Sequence, residues 1–577
     1  MVVKETNIAG EGLLDIFRDD PRLLPLIGPG APFEYEEIVL DGVPLRSFSN
    51  GPKSLIEVFQ MNKAFSDLVH IVNDSERYTF ADVRQEALTL ALALKTRYGV
   101  VKGDRVGIVM RNYPEFVTIF WASVVLGAIA VPLNSFWTGY ELKVVIDDCD
   151  PKVVFADADR LKKVTGDDIG AMNTEFIAVR TNPDQWKGCH YSELTHGKQL
   201  QESEFAQLDT DDPIVLMYTS GTTGKPKGAL TTSRAQIANA MNGAFMGGRE
   251  LILSGREPAE PRQSGAIQAM PIFHVGGVGA TVMGSISGSK IVMFGKWNVQ
   301  EYLELAEQEQ VTSIGGVPTM MRAILDYPEL DKFKLTMTNC GGGGASIPPD
   351  LPLRMVETFG PSMVVGNGYG LTETTAAVVS NFGREYLEHP SAIGRANLTA
   401  DVRVCDPDGK RLLIGERGEL CFRSPQVALG YWKNPEATAT SFIDGWFHSG
   451  DLGYVDDEGY VYVVDRIKDV VIRGGENVYC AEVESTILEF PGIANVAVVG
   501  VPDEILGERV CAVIAPQSGA TPSAKEIKAF TATRLAAFKC PDFYLIVDEI
   551  PQTATGKHAK NLIRELLIEQ ADKIQTV

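Results

Sequence analysis

The sequence lacks several features that would place it quickly. Its eight cysteines are scattered singly through 577 residues with no CxxC pair, so it encodes neither a disulfide framework nor a thiolate knuckle. The seven histidines are equally dispersed, and no zinc-ligand spacing is visible. No long run of one charge occurs, and the balance is acidic, −22 at neutral pH. That excludes nucleic acid and anionic membrane as partners, because affinity for phosphate comes mainly from Lys and Arg. The opening residues MVVKETNIAGEG hold no apolar leader core, and the closing KIQTV is not a peroxisomal tripeptide. Together with reduced thiols, this gives the expectation of a cytoplasmic protein. Internal repeats and low-complexity tracts are absent too.

One uncharged run, Phe116 to Leu133, reaches the length of a membrane span. Gly127 interrupts it, and AIAVPLN reads as a buried strand ending at Pro132. Two short elements of a soluble core are therefore expected, with no integral membrane segment.

A chain this long needs more than one core. Residues 1–65 read as a Pro- and Gly-punctuated extension of unknown role. Strand-like runs (RVGIVM, KVVFAD, EFIAVR, PIVLMY) then alternate with helical segments, the pattern of α/β layers with largely parallel sheets. After about Asp465, short strands (NVAVVGVPD, RVCAVIAP, FYLIVDEI) and helices (AEVESTILEF, AKEIKAFTATRL) suggest a compact α+β domain. The expected boundary lies in DRIKD, with domains at 66–467 and 468–577.

The stretch MYTSGTTGKPKGAL, 217–230, has the composition of a phosphate cradle. It is not a P-loop: Thr219 stands where the first glycine belongs, and Pro226 replaces the magnesium-binding hydroxyl. Gly221 and Gly224 nevertheless allow close backbone approach to an anion. Thr219, Ser220, Thr222 and Thr223 offer hydroxyls, and Lys225 and Lys227 offer charge.

The loop YTSGTTGKPKG strongly resembles the signature of the adenylate-forming superfamily, which includes acyl-CoA synthetases, aryl-CoA ligases and firefly luciferase. Further motifs follow in family order: PIFHVGG (271–277), GGAS (343–346), NGYGLTE (367–373), HSGDLG (448–453), DRIKDVVIRGGENV (465–478) and PQTATGK (551–557). The resemblance runs from roughly residue 70 to the end. It implies a large N-terminal domain of several subdomains with layered, mostly parallel sheets, and a small mobile C-terminal α+β domain. It also implies a reaction in two halves, using ATP, Mg²⁺ and coenzyme A. A carboxylate attacks the α-phosphate to give an acyl-adenylate and pyrophosphate; a thiol then displaces AMP.

By this resemblance, Thr219, Ser220, Gly221, Thr222, Thr223, Gly224, Lys225 and Lys227 embrace the β- and γ-phosphates, Thr222 counting among the catalytic groups. Thr372 touches the α-phosphate and Glu373 holds Mg²⁺; read alone, Glu373 is only an acid at a helix start. Gly344, Ala345 and Ser346, with Asn367, Gly368, Tyr369 and Gly370, form the adenine slot, Tyr369 stacking on the base. Asp451 accepts the ribose hydroxyls with help from Arg466. Lys557 is the catalytic lysine of the first half-reaction, carried by the small domain. Lys468 is the hinge, and Gly474 and Gly475 line the pantetheine tunnel. Two departures from the family pattern stand out: Cys480 replaces a proline, and His558 an aliphatic residue.

The resemblance puts His274 at the mouth of the acyl pocket, with Val275, Gly276 and Gly343 in its wall. FHVGGVG contains no carboxylate, and a buried ammonium without one would be costly, so an α-amino acid substrate is not expected. A medium- or long-chain fatty acid or a bulky aryl or ring acid fits small apolar walls. Free coenzyme A is the expected acceptor. The alternatives are an acyl-AMP ligase loading a separate carrier protein, and a luciferase-like oxygenase or inactive scaffold. A homodimer is left open.

Overall fold

In the computed structural model, residues 20–166, 174–219, 226–256, 262–345, 347–553 and 557–577 are described. The chain parts into two compact units. One holds the residues up to Val402 with Phe422–Phe447; the other holds Arg403–Cys421 with His448–Val577.

A seven-stranded sheet of the first unit runs in the order Gly430–Tyr431, Lys227–Thr232, Pro213–Thr219, Ile129–Pro132, Arg105–Val109, Val153–Asp157, Glu175–Val179. From Pro213–Thr219 onward its neighbours pair in parallel. Ile129–Pro132 and Val153–Asp157 are buried along their whole length, as expected of strands covered on both faces. The uncharged run resolves into the helix Pro114–Val125, with proline in its first turn, and the strand Ile129–Pro132. Between them Gly127 has φ +66°, a conformation that ends the helix at little cost. Among the described residues, no helix is long and apolar enough to cross a membrane.

The second sheet of this unit has nine strands. Its parallel centre is Val364–Leu371, Asn339–Gly343, Ser313–Gly316, Gly265–Gln268, Lys290–Met293 and Val69–Asn73. The run at 341–344 has two physical causes. A Cβ at Gly342 would fall 2.6 Å from the Ile347 side chain, and one at Gly343 2.7 Å from the Gly368 carbonyl oxygen. Gly341, by contrast, faces open space.

The described part of the N-terminal extension belongs to this unit's core. Leu23, Phe48, Leu55, Val58 and Phe59 are buried in its main apolar cluster. The hairpin Tyr35–Leu40/Val43–Phe48 is fixed through Arg46, which pairs with Asp401 at 2.6 Å.

In the second unit, the long hairpin Ile493–Asp503/Gly507–Pro516 organises a six-stranded sheet, with Phe543–Ile546 parallel to it. The helices Cys480–Leu488, Ala524–Ala532 and Lys560–Glu569 pack residues into its two apolar clusters. Strand Trp446–Val455 pairs antiparallel with Val461–Arg466, setting Asp451 opposite Arg466.

Candidate active site

Three of the quoted motifs leave the carboxyl ends of parallel strands in the nine-stranded sheet, the edge where open α/β sheets bind ligands. Gly265–Gln268 leads into PIFH, Asn339–Gly343 into Gly344 and Ala345, and Val364–Leu371 into Thr372 and Glu373. The register places Gly342 beside Asn367 and Gly343 beside Gly368, so two motifs separated in sequence share one edge. Tyr369 lies 5.6 Å, ring to ring, from Phe422. Ser346 and Ser220–Lys225 lie outside the described residues.

Glu373 sits in the turn Thr372–Thr374 and is 7% exposed. Tyr431 Oη donates to its Oε1 at 2.8 Å, and Lys227 Nζ lies 5.1 Å from the Tyr431 ring centre. Burial and then the Glu373 charge push the Tyr431 phenol well up, so it remains a donor. A carboxylate has about four lone-pair sites, and one phenol uses only one. Glu373 is therefore a hard, anionic oxygen donor with capacity left, the chemistry that Mg²⁺ selects. Just beyond it, Thr375 and Ala376 have φ +49° and +75° although neither is glycine. The chain is held there by Ala428 N–H on the Glu373 carbonyl and by Thr375 Oγ1 on the Gln426 carbonyl, at 2.8 and 2.7 Å. Positive φ at such residues is a strain that clusters at functional sites.

Thr219 and Lys227 face each other at the base of the phosphate loop, as register partners of Pro213–Thr219 and Lys227–Thr232. The loop thus springs from a rigid hairpin of the seven-stranded sheet.

His274 is the residue before the helix Val275–Ser287, its ring 4.4 Å from that of Phe273. Gly276 meets nothing within 4 Å of an added Cβ, whereas a Cβ on Gly277 would strike the Ile272 carbonyl at 2.2 Å. The approach to His274 is set by Asn112. Its amide nitrogen reaches the carbonyls of Gln268, Met270 and Phe294 at 2.7–3.1 Å, and its oxygen accepts from Ile272 N–H at 2.8 Å. Asn112 and Tyr431 are not legible in sequence as site residues; no motif contains them, and only the tertiary meeting reveals them.

A row of glycines crosses the same sheet. Gly315 is the register partner of Gly341, and Gly341 of Gly366. Added Cβ atoms at Gly315 and Gly341 would meet nothing within 4 Å, while one at Gly366 would meet the Phe382 ring at 2.5 Å. Here the sheet presents open, side-chain-free backbone bounded by an aromatic ring.

The remaining expected residues belong to the second unit. Asp451 is buried and pairs with Arg466 Nε at 2.6 Å. Lys468 lies in the turn Ile467–Asp469, where burial depresses its ammonium pKa. Gly474 and Gly475 form the two-residue link between Val471–Arg473 and Glu476–Val478, with φ +61° and +88°. A tight hairpin of this kind requires such residues whatever passes beside it. Lys557 is exposed, and its carbonyl accepts from Thr553 N–H at 2.7 Å. Its neighbours are anchored: His558 Nε2 contacts Asn495 Oδ1 at 3.0 Å, and Lys560 lies 3.8 Å from Asp469. Cys480 is buried and donates to the Asp469 carbonyl at 3.0 Å.

Residues 58–432 match the AMP-binding enzyme family, and residues 482–557 match the AMP-binding enzyme C-terminal domain. Feruloyl-CoA synthase of Amycolatopsis sp. is 33% identical over 490 residues, 84% of this chain and 93% of that protein. The long-chain-fatty-acid–CoA ligase FadD13 of Mycobacterium tuberculosis is 32% identical over 502 residues, 85% of this chain and 93% of that one. Among solved structures, ATP-bound MatB from Rhodopseudomonas palustris is similar with a TM-score of 0.76 and 29% identity, covering 89% of this chain and 99% of that chain.

Proposed function

This chain belongs to the AMP-binding enzyme family and is an AMP-forming acid–CoA ligase, and from that premise we propose how its residues divide the work and which acids it takes. The grouping of Glu373, Tyr431 and Lys227 at the carboxyl edge of the sheets is the observation that carries the assignment of roles. Glu373 would hold the Mg²⁺ that accompanies ATP, an ion that would supply neutralising charge, and Tyr431 fixes that carboxylate. Lys227, with the loop between Thr219 and Lys227, takes the β- and γ-phosphates and the departing pyrophosphate. The incoming carboxylate and the triphosphate repel each other, so positive charge and alignment are what the protein must supply. Thr372 meets the α-phosphate, Gly344, Ala345 and Asn367–Gly370 take the adenine, and Asp451 with Arg466 takes the ribose.

Lys557 supplies the positive charge of the adenylation step from the C-terminal domain. Rotation at Lys468 then exchanges it for the Gly474–Gly475 turn, past which the thiol of coenzyme A enters to displace AMP. Hinges of this kind are a few residues at the ends of elements that absorb the φ/ψ change.

The acid has a large, uncharged body beyond its carboxylate, either a medium- or long-chain aliphatic acid or a bulky aryl or ring acid. Feruloyl and long-chain fatty acyl relatives both agree with this. Open backbone at Gly315 and Gly341 and the Phe382 ring support it, since they offer width and apolar contact without an anionic partner for an ammonium. A cytoplasmic setting accompanies the reading, in keeping with eight free cysteines, all buried but Cys189.

The decisive experiment is pyrophosphate release across aliphatic and aromatic acids, with and without coenzyme A. Release with apolar acids and thioester formation on adding free coenzyme A is the expected result. Release confined to short polar or amino acids would overturn the substrate class.

A further inference from the structure

In the tetrapeptide His448–Ser449–Gly450–Asp451, the first three residues are each tied to the strand Gly418–Arg423. Glu419 makes two of the ties: its Oε2 lies 2.8 Å from His448 Nδ1, and its Oε1 accepts from Gly450 N–H at 2.8 Å. Ser449 Oγ donates to the Leu420 carbonyl at 2.6 Å and accepts from Asp451 N–H at 3.0 Å. Gly450 has φ +71°, a local kink within the strand Trp446–Val455 immediately before Asp451. The Asp451 side chain is 3% exposed and that of His448 10%.

A carboxylate only accepts, so the proton on this face of the imidazole is on Nδ1. His448 Nε2 is buried and has no hydrogen-bond partner among the described residues. Cys421 Sγ, 3.4 Å from Nδ1, closes the side of the ring. Glu419, Cys421 and His448 together have the ligand types of a metal site. The 2.8 Å between Glu419 and His448 is nevertheless a hydrogen-bond length. Two such ligands of one tetrahedral zinc would stand roughly 3.3 Å apart. The group is a brace.

We infer that Glu419 is a positioning residue for the nucleotide: by bridging His448 and Gly450 it sets the kink in the strand that aims Asp451 at the ribose hydroxyls. This rests on the proposed role of Asp451. Arg466 holds the Asp451 carboxylate from the opposite strand, at 2.6 Å, and Glu419 holds its backbone. The two constraints act on different parts of the same residue.

The test compares kcat/KM for ATP and for 2′,3′-dideoxy-ATP in the natural enzyme, Asp451→Ala, Glu419→Ala and Glu419→Gln, with Tm recorded for each. Glu419→Ala should lose on the order of tenfold with ATP, the size typical of removing an outer partner of a binding side chain. With dideoxy-ATP it should lose little, and KM for the acid should hold. Glu419→Gln keeps an acceptor for Gly450 N–H and should fall between; it carries the comparison if Glu419→Ala yields little folded protein. Equal losses with both nucleotides would mean a merely structural role and overturn the inference. If Asp451→Ala loses the preference for ATP while both Glu419 variants keep it, positioning alone is refuted. If Asp451→Ala keeps the preference, the ribose reading of Asp451 is what fails.

Discussion

Tyr431 donates its phenolic hydrogen to Glu373 across 58 residues of sequence, and the bond joins an edge strand of one sheet to the carboxyl end of a strand in the other. A hydrogen bond to a charged partner contributes about 1.5–3 kcal/mol. Tyr431→Phe keeps the ring beside Lys227 and removes that bond together with the hydroxyl's contact to Ser441. The Mg²⁺ concentration giving half-maximal pyrophosphate release should rise roughly tenfold or more. An unchanged magnesium requirement would remove Tyr431 from the account.

Lys557→Ala should cripple adenylate formation while sparing thioester formation from supplied acyl-AMP. Lys557 is exposed on its own unit and its neighbours His558 and Lys560 are anchored, so the substitution should leave Tm nearly unmoved. Equal loss in the two halves would count against exchange of domain orientations.

Gly341→Leu tests the acyl site. The position has ordinary φ and open space, so the fold should tolerate the side chain. A leucine there fills the row beside Gly315 and Gly366. Activity should shift from long or bicyclic acids toward short ones, visible as a rise of about tenfold in KM for the larger acids, since a methylene or two in a pocket alters binding by about 1–3 kcal/mol. The same profile in both enzymes would move the acyl pocket elsewhere.

His70 has a stability signature. It is fully buried, stacks at 3.9 Å on Phe80, and burial pushes its pKa down to about 3. Between the ordinary histidine range and pH 3 the unfolded chain takes a proton that the folded core refuses. Stability therefore falls as pH falls, by about 1.4 kcal/mol per unit from this group. His558, pushed to about 4 by burial and then by Lys560, acts in the same direction. His70→Phe should lose less stability than the natural protein between pH 7 and pH 5, by roughly 2 kcal/mol, read from urea midpoints. Parallel losses in the two proteins would contradict the assignment.

The sequence announces the site where local composition carries the message. The loop at 217–230 reads as a phosphate cradle before any contact is known, because glycines, hydroxyls and lysines in one run have few other uses. The buried strands are similarly plain, since IAVP and VVFA are apolar at every turn of the pleat. Tyr431, Asn112 and Glu419 are not legible. A tyrosine, an asparagine and a glutamate are ordinary in loops and strands, and each gains its role from a partner brought near only by folding. Gly474 and Gly475 teach a different lesson. Their sequence suggests room for a thiol, while their positive φ values show a backbone requirement sufficient by itself. The extension before residue 65 is opaque because its apolar residues follow no single period and its strand Tyr35–Leu40 is half exposed; Leu55, Val58 and Phe59 complete a core whose other side lies in later strands and helices.

The backbone after Glu373 bears on how hardy this enzyme can be made. Ala376 holds φ +75° without the freedom of glycine, beside a Gly370 that its carbonyl crowds. An engineer seeking heat resistance would be drawn to Ala376→Gly, which should relieve about 1 kcal/mol of strain. The loosened turn would also release the Glu373 carboxylate from its setting, so the variant should melt later and turn over more slowly. Durability and speed are in competition at that one peptide, so a thermostable variant that keeps full turnover needs its changes elsewhere.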